Sequence, residues 1–198
     1  SQSLKAEAII EAQAQTLLLA ERLAQEARDP VRILNIGGVA NATLIDSKGG
    51  VIAFDTGPGN ALIDEWMQER ENKNLDDGGR TAARGRPDEQ LLAWLLTHPF
   101  FFRRPPKSLD RNWFSHKLAG QLSTEDGAAT LTAFTARAVA RALDHAPEIP
   151  TRWIVAGRWV VLLATSGRVR ATLTGRPAAL AARAATTASA LAAGRPVA

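Results

Sequence analysis

The 198-residue chain is 45 % hydrophobic and 22 % charged, the balance of a globular protein with ample material for a core. It contains no cysteine, which excludes disulfides and thiolate metal sites and suits a cytoplasmic protein. The net charge of +4 is uneven: residues 151–198 hold seven arginines and no acid or lysine, leaving 17 basic against 20 acidic groups before them. That basic tail lacks the aromatic interleaving of a nucleic-acid binder and the amphipathic pattern of a membrane-surface helix, so neither partner is expected.

Residues 1–28 read as a soluble helix, with Ile10, Ala14, Leu17, Glu21 and Ala24 along one stripe and no Gly or Pro between them. Leu17-Leu18-Leu19 is too short a run to cross a bilayer, and Lys5, Glu7 and Glu11 spoil a signal-peptide core. The helix is expected to end near Arg28-Asp29-Pro30, since the residue before a proline avoids helical backbone angles.

Three short apolar runs follow. Val31, Ile33, Leu34 and Ile36 stop at Gly37-Gly38; Thr43-Leu44-Ile45 breaks at Ser47-Lys48-Gly49-Gly50; Val51-Ile52-Ala53-Phe54 ends in Asp55-Thr56-Gly57-Pro58-Gly59-Asn60. Short β-branched segments between glycine turns predict strands of a meander. Glycines let backbone N–H groups approach an anion closely, and Pro58 ahead of a helical pattern over 61–68 suits a helix start whose free N–H groups attract oxygens. Glycine pairs also simply make hairpin turns, but two such breaks so close together, one carrying an acid, point to a ligand site. Asp55 then has two readings: it binds a ligand, or it caps the following helix.

Residues 72–85 form a polar loop in which Asp77-Gly78-Gly79 reads as a turn, with a metal or sugar-hydroxyl contact as the alternative. Pro87-Asp88-Glu89 caps a helix through Thr97 that turns Leu91, Leu92, Leu95 and Leu96 inward. The connector from His98 to Asp110 is aromatic, basic and proline-rich. Pro105-Pro106 excludes helix there and holds Lys107 and Ser108 in place. Lys107, with Arg103, Arg104 and Arg111, either meets an anionic ligand or forms a solvated basic loop. A long helix runs from Ser123 to about His145, with Leu131, Phe134, Ala138, Val139, Ala142 and Leu143 as its apolar stripe. Thr151 to Gly157 predicts a buried strand. His98, His116 and His145 show no metal-ligand spacing and read as surface or helix-end residues.

NIGGVAN followed by FDTGPGN resembles the anhydro-N-acetylmuramic acid kinase family, sugar kinases of the actin/hexokinase/Hsp70-like superfamily. The resemblance continues through Asp77 and Gly79, Gly85, DEQLLAWLL, HPFF, PPKS with Arg111, and ATLTAFTARAVARAL, covering about Asp29 to Gly157. It implies an α/β lobe of an actin-like (RNase H-like) ATPase fold over residues 29–157, with a mixed sheet and packed helices, preceded by the helix of 1–28. It further implies ATP and Mg²⁺ as cofactors, ring opening with O6 phosphorylation of a 1,6-anhydro amino sugar in peptidoglycan recycling, and an allowed homodimer. Gly37 and Gly38 then correspond to the second lobe's phosphate loop. Asp55, Thr56, Gly57, Gly59 and Asn60 fall at the substrate or Mg²⁺ site between lobes, and Lys107 and Arg111 at an anion contact.

Where the family continues Thr-Gly-Arg-Glu after the Pro-Pro-Lys-Ser motif, this chain has Leu109-Asp110-Arg111-Asn112. The first lobe's Gly-Thr-Ser-x-Asp-Gly turn and the general-base aspartate expected upstream of Ile33 have no counterpart in the sequence. An incomplete, inactive kinase is therefore expected, with a non-catalytic module as the alternative. After Gly157 the motifs stop, and most of residues 156–198 are Ala, Gly, Arg or Pro without acids. Such a composition arises when a GC-rich coding strand is read out of frame, so an irregular, frameshifted tail over 158–198 is expected; a genuine Ala-rich helical tail is the alternative.

Overall fold

In the computed structural model, residues 30–145, 152–157 and 170–173 are described. The helix predicted for 1–28 and most of the tail lie outside the described residues. Strands β1 (Val31–Ile36), β2 (Val39–Ile45) and β3 (Val51–Pro58) form the expected antiparallel meander. The β2–β3 hairpin closes on Asp46, whose Oδ1 accepts from Lys48 N at 2.9 Å and Gly50 N at 2.7 Å. Gly49 sits in that turn at φ +82°, a conformation glycine adopts without steric cost.

Helix α1 (Ala61–Glu71) follows β3, then α2 (Glu89–Leu95), single helical turns, and α3 (Thr124–Ala142). Asp88 caps α2 as read from the sequence, its Oδ1 accepting from Leu91 N at 2.9 Å. This helix ends at Leu95, two residues before the expected Thr97. The long stretch from 61 to 145 allows β4 (Arg152–Gly157) to return parallel to β1, since parallel neighbours need a crossover. The strand order is β3-β2-β1-β4-β5, where β5 (Arg170–Leu173) runs parallel to β4. Of the tail predicted to be irregular, only Arg170–Leu173 is described, as a strand in register with Arg152–Val155.

Leu131, Phe134, Ala138, Val139 and Ala142 of α3 are buried at the spacing of one helical face. Two close approaches set how α3 sits. A Cβ on Gly57 would lie 2.7 Å from the Ala138 methyl, and one on Gly127 would lie 2.2 Å from the Trp66 ring. Trp66 also donates from Nε1 to Thr124 O at 2.9 Å. Phe100, Phe101, Phe114 and Phe134 stack edge-on or tilted behind this contact, Phe114 and Phe134 at 5.2 Å between centroids. Full burial of each such ring contributes about 1.5–3 kcal/mol, so the aromatic connector that follows α2 is a core element.

Candidate functional site

The glycine turn after β1 and the glycine-rich end of β3 meet in one hydrogen-bonded knot. Gly59 N donates to Gly38 O at 2.9 Å, Asn60 N to Gly37 O at 2.8 Å, and Ala61 N to Gly38 O at 3.3 Å. Asn60, buried, sends its Nδ2 to Ile36 O at 3.1 Å. Within the turn, Gly37 N donates to Val39 O at 3.2 Å, and Gly38 stays exposed. A Cβ on Gly59 would lie 2.3 Å from Gly37 O, so only glycine lets the two backbone segments touch. This narrows one expectation. The N–H groups of residues 59–61 at the start of α1 are engaged by the Gly37 and Gly38 carbonyls, so they are not free for a ligand.

Two threonines hold the knot from behind. Thr56 Oγ1 donates to Ala40 O at 3.1 Å, across the bulge between β2 and β3. Thr135 Oγ1, on α3, donates to Gly59 O at 3.0 Å. Sequence reasoning missed Thr135. Its signal was a polar residue on the apolar stripe between Leu131 and Ala138, where a hydroxyl needs a partner.

Asp55 lies four residues before Gly59 on β3 and faces the 107–109 segment. Its N–H donates to Lys107 O at 2.9 Å, and its Oδ2 accepts from Leu109 N at 2.8 Å. Asp55 therefore does not cap α1; the cap position is Asn60, which makes no side-chain capping bond. Burial pushes the Asp55 carboxyl above the ordinary range, and the Leu109 N–H offsets part of that rise. Oδ1 makes no hydrogen bond among the described residues.

Lys107 and Arg111 part company. Lys107 is 8 % exposed, so it is not part of a solvated loop. Its Nζ donates to Phe100 O at 3.2 Å and lies 4.6 Å from the Phe100 ring centroid and 5.8 Å from that of Phe54. Burial pushes its ammonium below the ordinary lysine range. Arg111 is exposed and reaches α1, where Nη2 meets Glu65 Oε1 at 3.3 Å. His116, largely shielded, lies between Glu65 Oε2 at 3.1 Å and Glu69 Oε2 at 2.7 Å. The ring of His145 stands edge-on to Phe54 at 5.9 Å; burial and then the Lys107 charge push it below the usual histidine range, against Asp144. Asp77 pairs with Arg80 and Asp76 accepts from Thr81 N and Ala82 N, which is the turn read from the sequence. Among the described residues no group of three or more His, Asp or Glu could hold a metal ion, and no helix is long and apolar enough to cross a membrane.

An antiparallel meander continued by parallel strands, with a glycine turn locked to the start of a helix, is an α/β arrangement consistent with the actin-like phosphotransferases. The family model described as anhydro-N-acetylmuramic acid kinase matches residues 13–183. This chain belongs to that family. Its match begins within the predicted first helix and runs beyond Gly157, where the motif resemblance was expected to end. Relatives that bear the name anhydro-N-acetylmuramic acid kinase include the following three. That of Methylobacterium nodulans is 75 % identical over 125 residues, 63 % of this chain and 33 % of the relative. The Methylorubrum populi protein is 68 % identical over 128 residues, covering 65 % and 34 %. The Nitrobacter winogradskyi protein is 50 % identical over 139 residues, covering 70 % and 37 %. The chain thus spans about a third of the length of the curated relatives it matches.

Proposed function

We propose that the described lobe is one wall of a kinase site that takes ATP and a 1,6-anhydro amino sugar, opening the anhydro ring and phosphorylating O6. The observation that carries this reading is the knot of Gly37, Gly38, Gly59 and Asn60, which fixes an exposed glycine amide beside a helix start. Phosphoryl transfer asks for positioning and charge stabilisation and little covalent chemistry from the protein, and a rigid glycine turn serves that need. In this reading Gly38, backed by Gly37, approaches a phosphate. Thr56, Gly57, Gly59 and Asn60 keep the turn in place.

Asp55 orients the ligand through Oδ1. One carboxylate with a free oxygen suits Mg²⁺, which takes one or two protein carboxylates and otherwise phosphate and water. Bound with ATP, the ion would neutralise charge on the phosphates. Holding a cation requires the ionised carboxylate, which burial disfavours and the Leu109 N–H favours; Asp55 is not assigned as the base for the water that opens the ring.

The described lobe supplies one wall of such a site, so the 198-residue polypeptide assayed by itself is expected to lack turnover. A non-catalytic module that keeps part of the fold is the second reading. The test is ADP release by the purified chain with and without 1,6-anhydro-N-acetylmuramic acid. Robust sugar-dependent release would mean that the catalytic machinery has been misplaced, and would retire the module reading.

A further inference from the structure

We infer that Lys107 is a positioning residue: its buried side chain pins the 105–109 segment against the edge of the sheet and so holds the Asp55 carboxylate in place. The inference rests on the placement of Asp55 in the proposed site, and its test is read without any substrate.

β3 is the outermost described strand on its side. Val51, Ile52 and Ala53 are exposed there, while at Asp55 the edge is covered by residues 107–109. The cover is made by main chain on one side: Lys107 O accepts from Asp55 N, and Leu109 N donates to Asp55 Oδ2. Neither contact depends on the identity of the side chain at 109, so the departure of Leu109-Asp110-Arg111-Asn112 from the family's pattern leaves both intact.

The question is what keeps this segment on β3. Residues 105–109 belong to no helix or strand, and Ser108 and Asp110 are exposed. Lys107 alternates with them, inward and 8 % exposed. Burying an ammonium is costly unless it is partnered. Here the partners are the Phe100 carbonyl and the faces of Phe100 and Phe54, a desolvated cation–π arrangement. Phe54 directly precedes Asp55 on β3, and Phe100 anchors the aromatic connector in the core. The side chain of Lys107 therefore ties together the strand that carries Asp55, the core, and the segment that binds the Asp55 carboxylate. Farther along, Arg111 and His116 tie the same stretch to Glu65 and Glu69 of α1, whose first residues form the glycine knot.

Amide hydrogen exchange on the 198-residue chain tests this. In Lys107→Met, which keeps an unbranched apolar stem without the charge, exchange at the Asp55 and Leu109 amides should rise about tenfold or more while β1 and β2 amides stay within about twofold. Lys107→Arg should recover part of the protection. Unchanged exchange at both amides in Lys107→Met would overturn the inference. If that variant loses protection throughout, Lys107→Gln, which keeps a donor for Phe100 O, is judged by the same criterion. A uniform rise in both variants would make Lys107 a general core residue and also overturn it. Inorganic phosphate that shifts the neighbouring amides of the wild type but not of Lys107→Met would assign the residue as an anion contact instead. Each of these outcomes leaves the sugar-kinase reading to stand or fall on its own assay.

Discussion

Replacing Gly59 by alanine brings a methyl group to 2.3 Å from Gly37 O and 3.1 Å from Ala40 N, both backbone atoms that no rotamer change can move aside. The helix start and the glycine turn must then separate. Overpacking of this kind costs about 1–3 kcal/mol. Separation also forfeits the bonds from Gly59 N to Gly38 O and from Asn60 N to Gly37 O, at about 1 kcal/mol each. The expected loss is about 3–5 kcal/mol, a large part of the 5–15 kcal/mol (roughly) that holds a domain folded. With a urea slope of about 1–3 kcal/mol per molar, the midpoint should fall by at least about 1 M. Gly78→Ala is the control. Its φ is +67° but nothing lies within 4 Å of the added methyl, so it should cost only the left-handed strain, about 1–2 kcal/mol. Urea unfolding of the three proteins decides the matter. Gly59→Ala no less stable than Gly78→Ala would show that the knot is not packed as described.

Two further outcomes follow from charge. Asp126 is held below the ordinary carboxyl value of 3.8, first by the Arg86 N–H and then by Ser123. Its stabilisation is present above 3.8 and is lost as pH falls through the depressed folded value, so an acid melting series should show a drop that Asp126→Asn flattens. Lys107 has the opposite sense: its folded value lies below the ordinary 10.5, so the folded state sheds its proton first. Stability due to this residue should rise as pH climbs from the depressed value towards 10.5, and Lys107→Met should remove that slope in urea titrations.

The meander, its glycine turns and the long amphipathic helix were legible because each follows from local chemistry: β-branched runs end at glycine, and an apolar stripe repeats at helical spacing. The pairing of Gly37-Gly38 with Gly59-Asn60 was visible only as two glycine-rich breaks. That the second would spend the N–H groups of residues 59–61 on the first turn's carbonyls is a tertiary fact. Lys107 was read through its neighbours Arg103 and Arg104, which are exposed, whereas the environment it occupies is set by Phe100 of the nearby phenylalanine run together with Phe54. The hold on Asp55 by Leu109 was illegible for a different reason, since a main-chain donor leaves no trace in residue identity. The strand at Arg170–Leu173 was hidden because its stretch was read by its alanine and arginine content, although Val169, Thr172 and Thr174 suit a strand.

The glycine knot and Asp55 as a phosphoryl-transfer site are tested most directly in a complete enzyme. Residues 30–157 of this chain would be grafted into the Methylobacterium nodulans relative in place of its own segment, and ADP release measured with 1,6-anhydro-N-acetylmuramic acid present and absent. The graft should show sugar-dependent release, and Asp55→Asn within it should lower kcat by about 10²–10³, as losing a preorganised charge-stabilising contact does. A folded graft in which Asp55→Asn leaves kcat within about threefold of its parent, far short of that loss, would contradict the assignment.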